Sequence, residues 1–298
     1  MILMVSGRTD IIGFYYPWLL NRIKEGYVDT RNPFNEKQVY RYYFKDVDAM
    51  MLCTKNPIPL LENPMDLPLI LHVTITPYGK DLEPNVPKKM EIIEAIKALS
   101  QIYGKNNIVI RYDPIIVNEK YTTTQHGKSF ENLVSMLHDY VSHFVISFVD
   151  DYKNTRSHNI NPLTNSQMNE IGKLFQSTIE KYHVRVQTCA ETIDLSDFGI
   201  VKGQCLSQED MANLLGKRYE WEIDDYKREQ CRCVQTRDIG AYNCCLHMCK
   251  YCYANYDEKQ IQNNIVKHNP KSSLLIGMLD GSEEIKVVKN KNRQVTLF

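Results

Sequence analysis

The sequence predicts an α/β protein, a partial or complete TIM-like (β/α) barrel carrying a C-terminal cysteine-rich extension. Three observations lead there: short apolar runs recur through the first two thirds of the chain, amphipathic runs of helical period separate several of them, and polar segments follow each apolar run. Near-continuous apolar strands are covered on both faces, the pattern of parallel strands flanked by helices in a barrel or in an open doubly wound sheet.

Strands are expected at 2–6, 49–54, 69–76, 108–112, 144–149 and 184–188. Between them, Ile92, Ile93, Ile96 and Leu99 fall on one helical face. So do Phe130, Leu133, Val134, Leu137 and Val141, and again Met168, Ile171, Leu174, Phe175 and Ile179. The strand exits read SGRTD, TKNP, TPYGKD, RYDP, SFVDD and QTCAE. Parallel strands bring their C-terminal ends to one side, where barrels and open sheets carry their sites. Arg8, Asp10, Lys55, Arg111, Asp113, Asp150 and Glu191 are therefore expected to share one polar mouth. A solvated loop accounts for any one of them, but six successive polar exits argue for a functional face. Arg8, Lys55 and Arg111 suit anionic groups of a substrate or cofactor; Asp10, Asp113 and Glu191 suit hydroxyl, amine or proton-transfer roles.

After Gly203 the pattern changes to a short helix, the charged stretch WEIDDYKREQ and a cysteine cluster. This divides a barrel domain, 1–205, from a C-terminal region, 206–298, too small and polar to bury its own core. That region is expected to dock on the barrel mouth or to be held by metal.

Composition narrows the class. A chain of 298 residues, 43% apolar, can bury a substantial core, and 36 basic against 36 acidic residues leave no global field for nucleic acid or anionic lipid. A local basic patch occupies 286–293. No apolar run approaches the roughly 20 residues that span a bilayer, and the opening MILMVSGRTD has its charges after its apolar run, unlike a signal peptide. A cytoplasmic protein without a membrane segment is expected. In that reducing compartment nine cysteines are not a disulfide framework, and eight of them lie beyond residue 188, which favours metal.

The densest stretch is CCLHMCKYCYAN, 244–255. Cys245, Cys249 and Cys252 form CxxxCxxC, which can hold three irons of a 4Fe–4S cluster and leave the fourth without a protein ligand. Zinc is the competing metal, with His247 or Cys244 as fourth ligand. A redox pair of Cys249 and Cys252 is the third reading. The spacing favours iron–sulfur, and the register beginning at Cys245 is preferred to CxxxxCxxC from Cys244. Cys189, Cys205, Cys231 and Cys233 could form a closed zinc site or a second 4Fe–4S cluster, the cluster being favoured over zinc because electron transfer suits the neighbouring chemistry; otherwise they are isolated buried thiols.

CLHMCKYCYAN resembles the CxxxCx(aromatic)C signature of radical S-adenosylmethionine enzymes, with Tyr251 at the aromatic position, and YCYAN is similar to the spore photoproduct lyase branch. Through SGRTDI, RNPFN, TKNP, TPYGKDLEPNVP, RYDPI and CRCVQTRDIGAYNCC the chain also resembles an uncharacterised bacterial family, domain of unknown function 1848. The resemblance implies a partial β/α barrel in which S-adenosylmethionine chelates the open iron. One electron from the cluster then cleaves its sulfonium, and a 5′-deoxyadenosyl radical abstracts hydrogen from a small-molecule, nucleotide or peptide substrate. It also implies a cofactor contact at Tyr251 and a low-potential electron donor such as flavodoxin or ferredoxin. In most such enzymes the cysteine loop follows the first barrel strand, whereas here it follows the last expected one. Either the barrel is a permuted radical SAM barrel or a C-terminal excursion returns the loop to the mouth.

A function of another class is a non-catalytic zinc or iron–sulfur module that mediates nucleic-acid or protein interaction. Finally, QVTLF, 294–298, is similar to the peptides by which bacterial proteins dock on the replication sliding clamp, although a docked C-terminal strand explains it better.

Overall fold

The computed structural model describes residues 1–223 and 231–290. QVTLF and the end of the basic patch, 291–293, lie outside the described residues. The strands are β1 (Ile2–Val5), β2 (Tyr27–Asn32), β3 (Asn35–Tyr43), β4 (Ala49–Thr54), β5 (Leu69–Thr74), β6 (Ile108–Ile115), β7 (His143–Phe148), β8 (Val186–Cys189), β9 (Ile200–Gly203), β10 (Arg237–Asp238) and β11 (Glu284–Val287). Eight of them form one sheet in the order β10-β1-β4-β5-β6-β7-β8-β9, and every neighbouring pair is parallel. All six expected strands are present with ends shifted by up to three residues.

The class is therefore α/β with a parallel sheet and helices. Ring closure would need pairing between the edge strands β9 and β10, and among the described residues there is none. Alternate strand residues serve two cores, as the two-residue period of a strand dictates. Leu3, Val5, Leu52, Leu71, Ile110 and Ile146 join the larger core with helix residues Ile96, Leu99, Phe130, Leu137 and Phe175. Ile2, Ala49, Met51, Ile70, Val109 and Val145 face the other way, against Leu206, Met211, Trp221 and Val234. The chain beyond residue 205 thus supplies half of the second core before it re-enters the sheet as β10.

Strand β9 and the two-residue β10 were not expected, nor was the hairpin β2–β3, which with β11 makes a separate three-stranded sheet. Its residues Arg31 to Phe34 hang over the cavity described below. Among the described residues no helix is long and apolar enough to cross a membrane.

Candidate functional site

Because the eight strands are parallel, their exits gather at one end, and there a cavity of about 1080 Å³ opens. After β10 the chain stays beside β1, with Ile239 N donating to Met4 O at 3.1 Å. It then crosses the mouth as the cysteine loop. Asn255 closes that loop on itself: its Oδ1 accepts from Cys245 N (3.2 Å) and its Nδ2 donates to Cys245 O (2.8 Å). Asn154 donates to the carbonyls of Cys252 (3.0 Å) and Asn255 (2.6 Å), while Asn85 Nδ2 donates to Leu246 O at 2.7 Å. Amide side chains from the β5 and β7 exits therefore fasten the loop to the sheet.

Cys245, Cys249 and Cys252 line the cavity, as does Tyr251. Cys244 does not; it is fully buried and its thiol donates to Ala241 O at 3.2 Å. His247 is also committed elsewhere. Its Nε2 pairs with Asp10 Oδ2 at 2.7 Å, its Nδ1 lies 3.3 Å from Asn85 O, and its ring packs edge-on to Phe14. Neither residue proposed as a fourth zinc ligand is turned to the three thiols.

Burial pushes the Cys245 thiol well up, with the charges of Asp10, Cys252 and Cys249 adding to it. Burial likewise drives Cys249 up to about 12, Lys55 opposing, and raises Cys252. These groups are protonated at neutral pH unless a cation takes them, and a coordinated metal deprotonates a thiol outright. Among the described residues no three His, Cys, Asp or Glu side chains stand around a ready ion position. Three thiols on one cavity wall nevertheless fit, in kind and in charge, a metal group that brings its own positive charge.

The polar exits play distinct parts. Asp10 accepts from Gly13 N (2.7 Å), Thr54 Oγ1 (2.7 Å) and Lys55 N (2.7 Å) besides pairing with His247, so it ties the β1 and β4 exits to the cysteine loop. Lys55 Nζ donates to Glu83 Oε1 at 2.7 Å and stands 5.6 Å from the centre of the Tyr251 ring. Glu83, almost fully buried, also accepts from Lys89, Thr76 and Tyr251. Arg111 donates through Nε to Asp113 at 3.0 Å and through Nη1 to Cys205 Sγ at 2.9 Å, and Asp113 accepts from Ser147. Arg8 lies on the rim, its guanidinium 5.2 Å from the Tyr242 ring centre. Asp150 lines the cavity and accepts from Tyr152 at 2.9 Å.

Glu191 is not part of the lining: its carboxylate turns back to accept from Phe148 N at 2.9 Å. Cys189, Cys205, Cys231 and Cys233, spread over four places in the sequence, all reach the same cavity.

Sequence reasoning missed Glu83 and Asp238. Asp238 accepts from Ser6 Oγ (2.6 Å), Gly7 N (2.8 Å) and Gly240 N (2.7 Å), and so couples β10 to the β1 exit. Only the placement of β10 beside β1 makes that role visible. Converting Asp10 to alanine should cost about 2–3 kcal/mol by stranding buried donors, read as a lower urea midpoint with an unchanged m-value.

Fold and cavity together define a class: a parallel α/β protein whose strand exits and a cysteine loop enclose one polar, thiol-lined chamber. Within it the chain belongs to the family described as Domain of unknown function (DUF1848), whose model matches residues 2–254. No curated protein and no solved structure matches the chain.

Proposed function

We propose that the chain is a radical S-adenosylmethionine-type enzyme whose catalytic 4Fe–4S cluster is held by Cys245, Cys249 and Cys252. The observation that carries this reading is the set of three loop thiols lining the cavity while the two other potential ligands within the loop are engaged: Cys244 is turned into the core, and His247, though it lines the cavity, has both ring nitrogens occupied. Topology supports it. The cysteine loop follows β10, and β10 lies beside β1 at the sheet edge, the position that the first strand of a circularly permuted partial barrel would take.

When bound, such a cluster supplies the low-potential electron that cleaves the sulfonium of S-adenosylmethionine to give a 5′-deoxyadenosyl radical. The chain's residues supply binding and electrostatics. Lys55, held by Glu83, sets a positive charge near Cys249 and 5.6 Å from the centre of the Tyr251 ring, the residue that the motif assigns to the cofactor. Arg8 offers a cation at the rim, suited to an anionic group on a small-molecule, nucleotide or peptide substrate. Asp113, oriented by Arg111 and Ser147, is the acceptor for a substrate hydroxyl or amine. A flavodoxin or ferredoxin serves as electron donor.

The test is anaerobic reconstitution, reduction with dithionite or a titanium reductant, and addition of S-adenosylmethionine. Slow release of 5′-deoxyadenosine and methionine without substrate is expected, together with a cofactor-dependent change in the resonance of the reduced cluster. A fully loaded and reduced cluster that shows neither over hours overturns the proposal. A colourless zinc protein would point instead to a non-catalytic binding module.

A further inference from the structure

Besides Cys53 on β4, four further cavity thiols are contributed by the end of β8 (Cys189), the turn after β9 (Cys205) and the return toward β10 (Cys231, Cys233). Cys189 Sγ and Cys205 Sγ are 2.7 Å apart, and Cys205 N donates to Cys233 Sγ at 3.1 Å. All four are free cysteines lining one cavity, with Cys189 against Cys205, the Cys205 backbone against the Cys233 thiol, and Cys231 two residues before Cys233.

That spacing distinguishes two metal chemistries. Each cysteine of a cubane cluster binds a different iron, which keeps the sulfurs well separated. Four sulfurs on one zinc at about 2.3 Å lie only about 3.8 Å from one another. The Cys189–Cys205 contact is shorter than that, and no ion position is already framed among the described residues. Opening it by about 1 Å admits a single ion, whereas a cluster requires the four side chains to part much further. Donors are already aimed at the sulfurs: Arg111 Nη1 at Cys205 and Cys205 N at Cys233. Four thiolates around a divalent cation carry two net negative charges, and outer partners of this kind orient and stabilise such ligands.

We propose that Cys189, Cys205, Cys231 and Cys233 form a closed tetrathiolate site for one soft divalent cation of zinc type. The ion fastens the segment that covers the second face of the sheet to the ends of β8 and β9. The site does not depend on the chemistry proposed for the three-thiol centre, which shares the cavity.

The full chain carrying Cys245→Ala, Cys249→Ala and Cys252→Ala, purified with zinc in the medium, isolates the question. One zinc per chain is expected, without iron or sulfide, and exchange for cobalt should give thiolate-to-metal and ligand-field bands of a tetrahedral sulfur site. Adding Cys231→Ser and Cys233→Ser should reduce zinc to background. Cys231→Ser alone, at a half-buried position, should shift the cobalt bands while circular dichroism stays unchanged, which separates lost ligation from lost folding. Retention of iron and sulfide by the triple variant, absence of any bound metal, or zinc content indifferent to the serine changes would each overturn the proposal.

Discussion

Replacing Cys245, Cys249 and Cys252 together by alanine is expected to abolish the iron chromophore that the proposed cluster would give and, with it, all release of 5′-deoxyadenosine. A complete rather than graded effect is expected, because the two other potential ligands within the loop are already engaged: Cys244 with Ala241 O and His247 with Asp10 and Asn85. Three alanines also remove three buried polar groups without stranding a charge, so the protein keeps its fold and its far-ultraviolet dichroism. Iron and sulfide analysis with electron resonance of the reduced protein reads the result. Unchanged iron content and an unchanged resonance in the triple variant would remove the cluster from this loop.

The second large effect is on stability. Glu83→Gln should destabilise the fold by about 3–5 kcal/mol, because two lysine cations are then left facing a neutral amide in a buried place. Burial alone would raise the Glu83 carboxyl, but Lys55 and Lys89 override it and bring it down from 4.5 to about 2. Burial and the neighbouring Lys55 charge push Lys89 down in spite of Glu83, whereas Glu83, with Cys249 and Asp113, holds Lys55 up against burial. A carboxyl whose folded pKa is depressed contributes stability above its unfolded value and loses it as the pH falls toward the folded value. Wild-type stability should therefore decline from about pH 4.5 to about pH 2 with a component that Glu83→Gln lacks. Lys55→Met combined with Glu83→Leu should recover part of the loss; additive penalties in that cycle would show that the pair is not coupled.

The six main strands were legible because burial on both faces writes continuous apolar runs into the sequence, as in LILHVT and HFVISF. The shared mouth followed from parallelism alone. Strand β10 was not legible: two residues, Arg and Asp, carry no periodicity, and the pairing to β1 is a long-range contact. The hairpin β2–β3 was missed because its tip, NPFN, is exposed and its outer residues are charged. Glu191 looked like its neighbours in sequence, yet it turns back to a backbone amide, a choice made by local geometry. The convergence of Cys189 and Cys205 with Cys231 and Cys233 rests on the path of the chain from β9 across the second face.

The neighbourship of β1 and β10 has a consequence for biosynthesis. Leu3 and Met4 leave the ribosome long before Arg237 and Asp238, with which they pair. Until then the nascent sheet has β4 on one side of β1 and nothing of its own on the other, an open edge of the kind that recruits foreign strands. The cysteine loop emerges only after that edge can be covered, so translation orders assembly: the chamber walls are laid down first, and the thiols of the loop arrive last. A chain stalled or truncated before Arg237 therefore presents a bare β1 edge and lacks the cysteine loop.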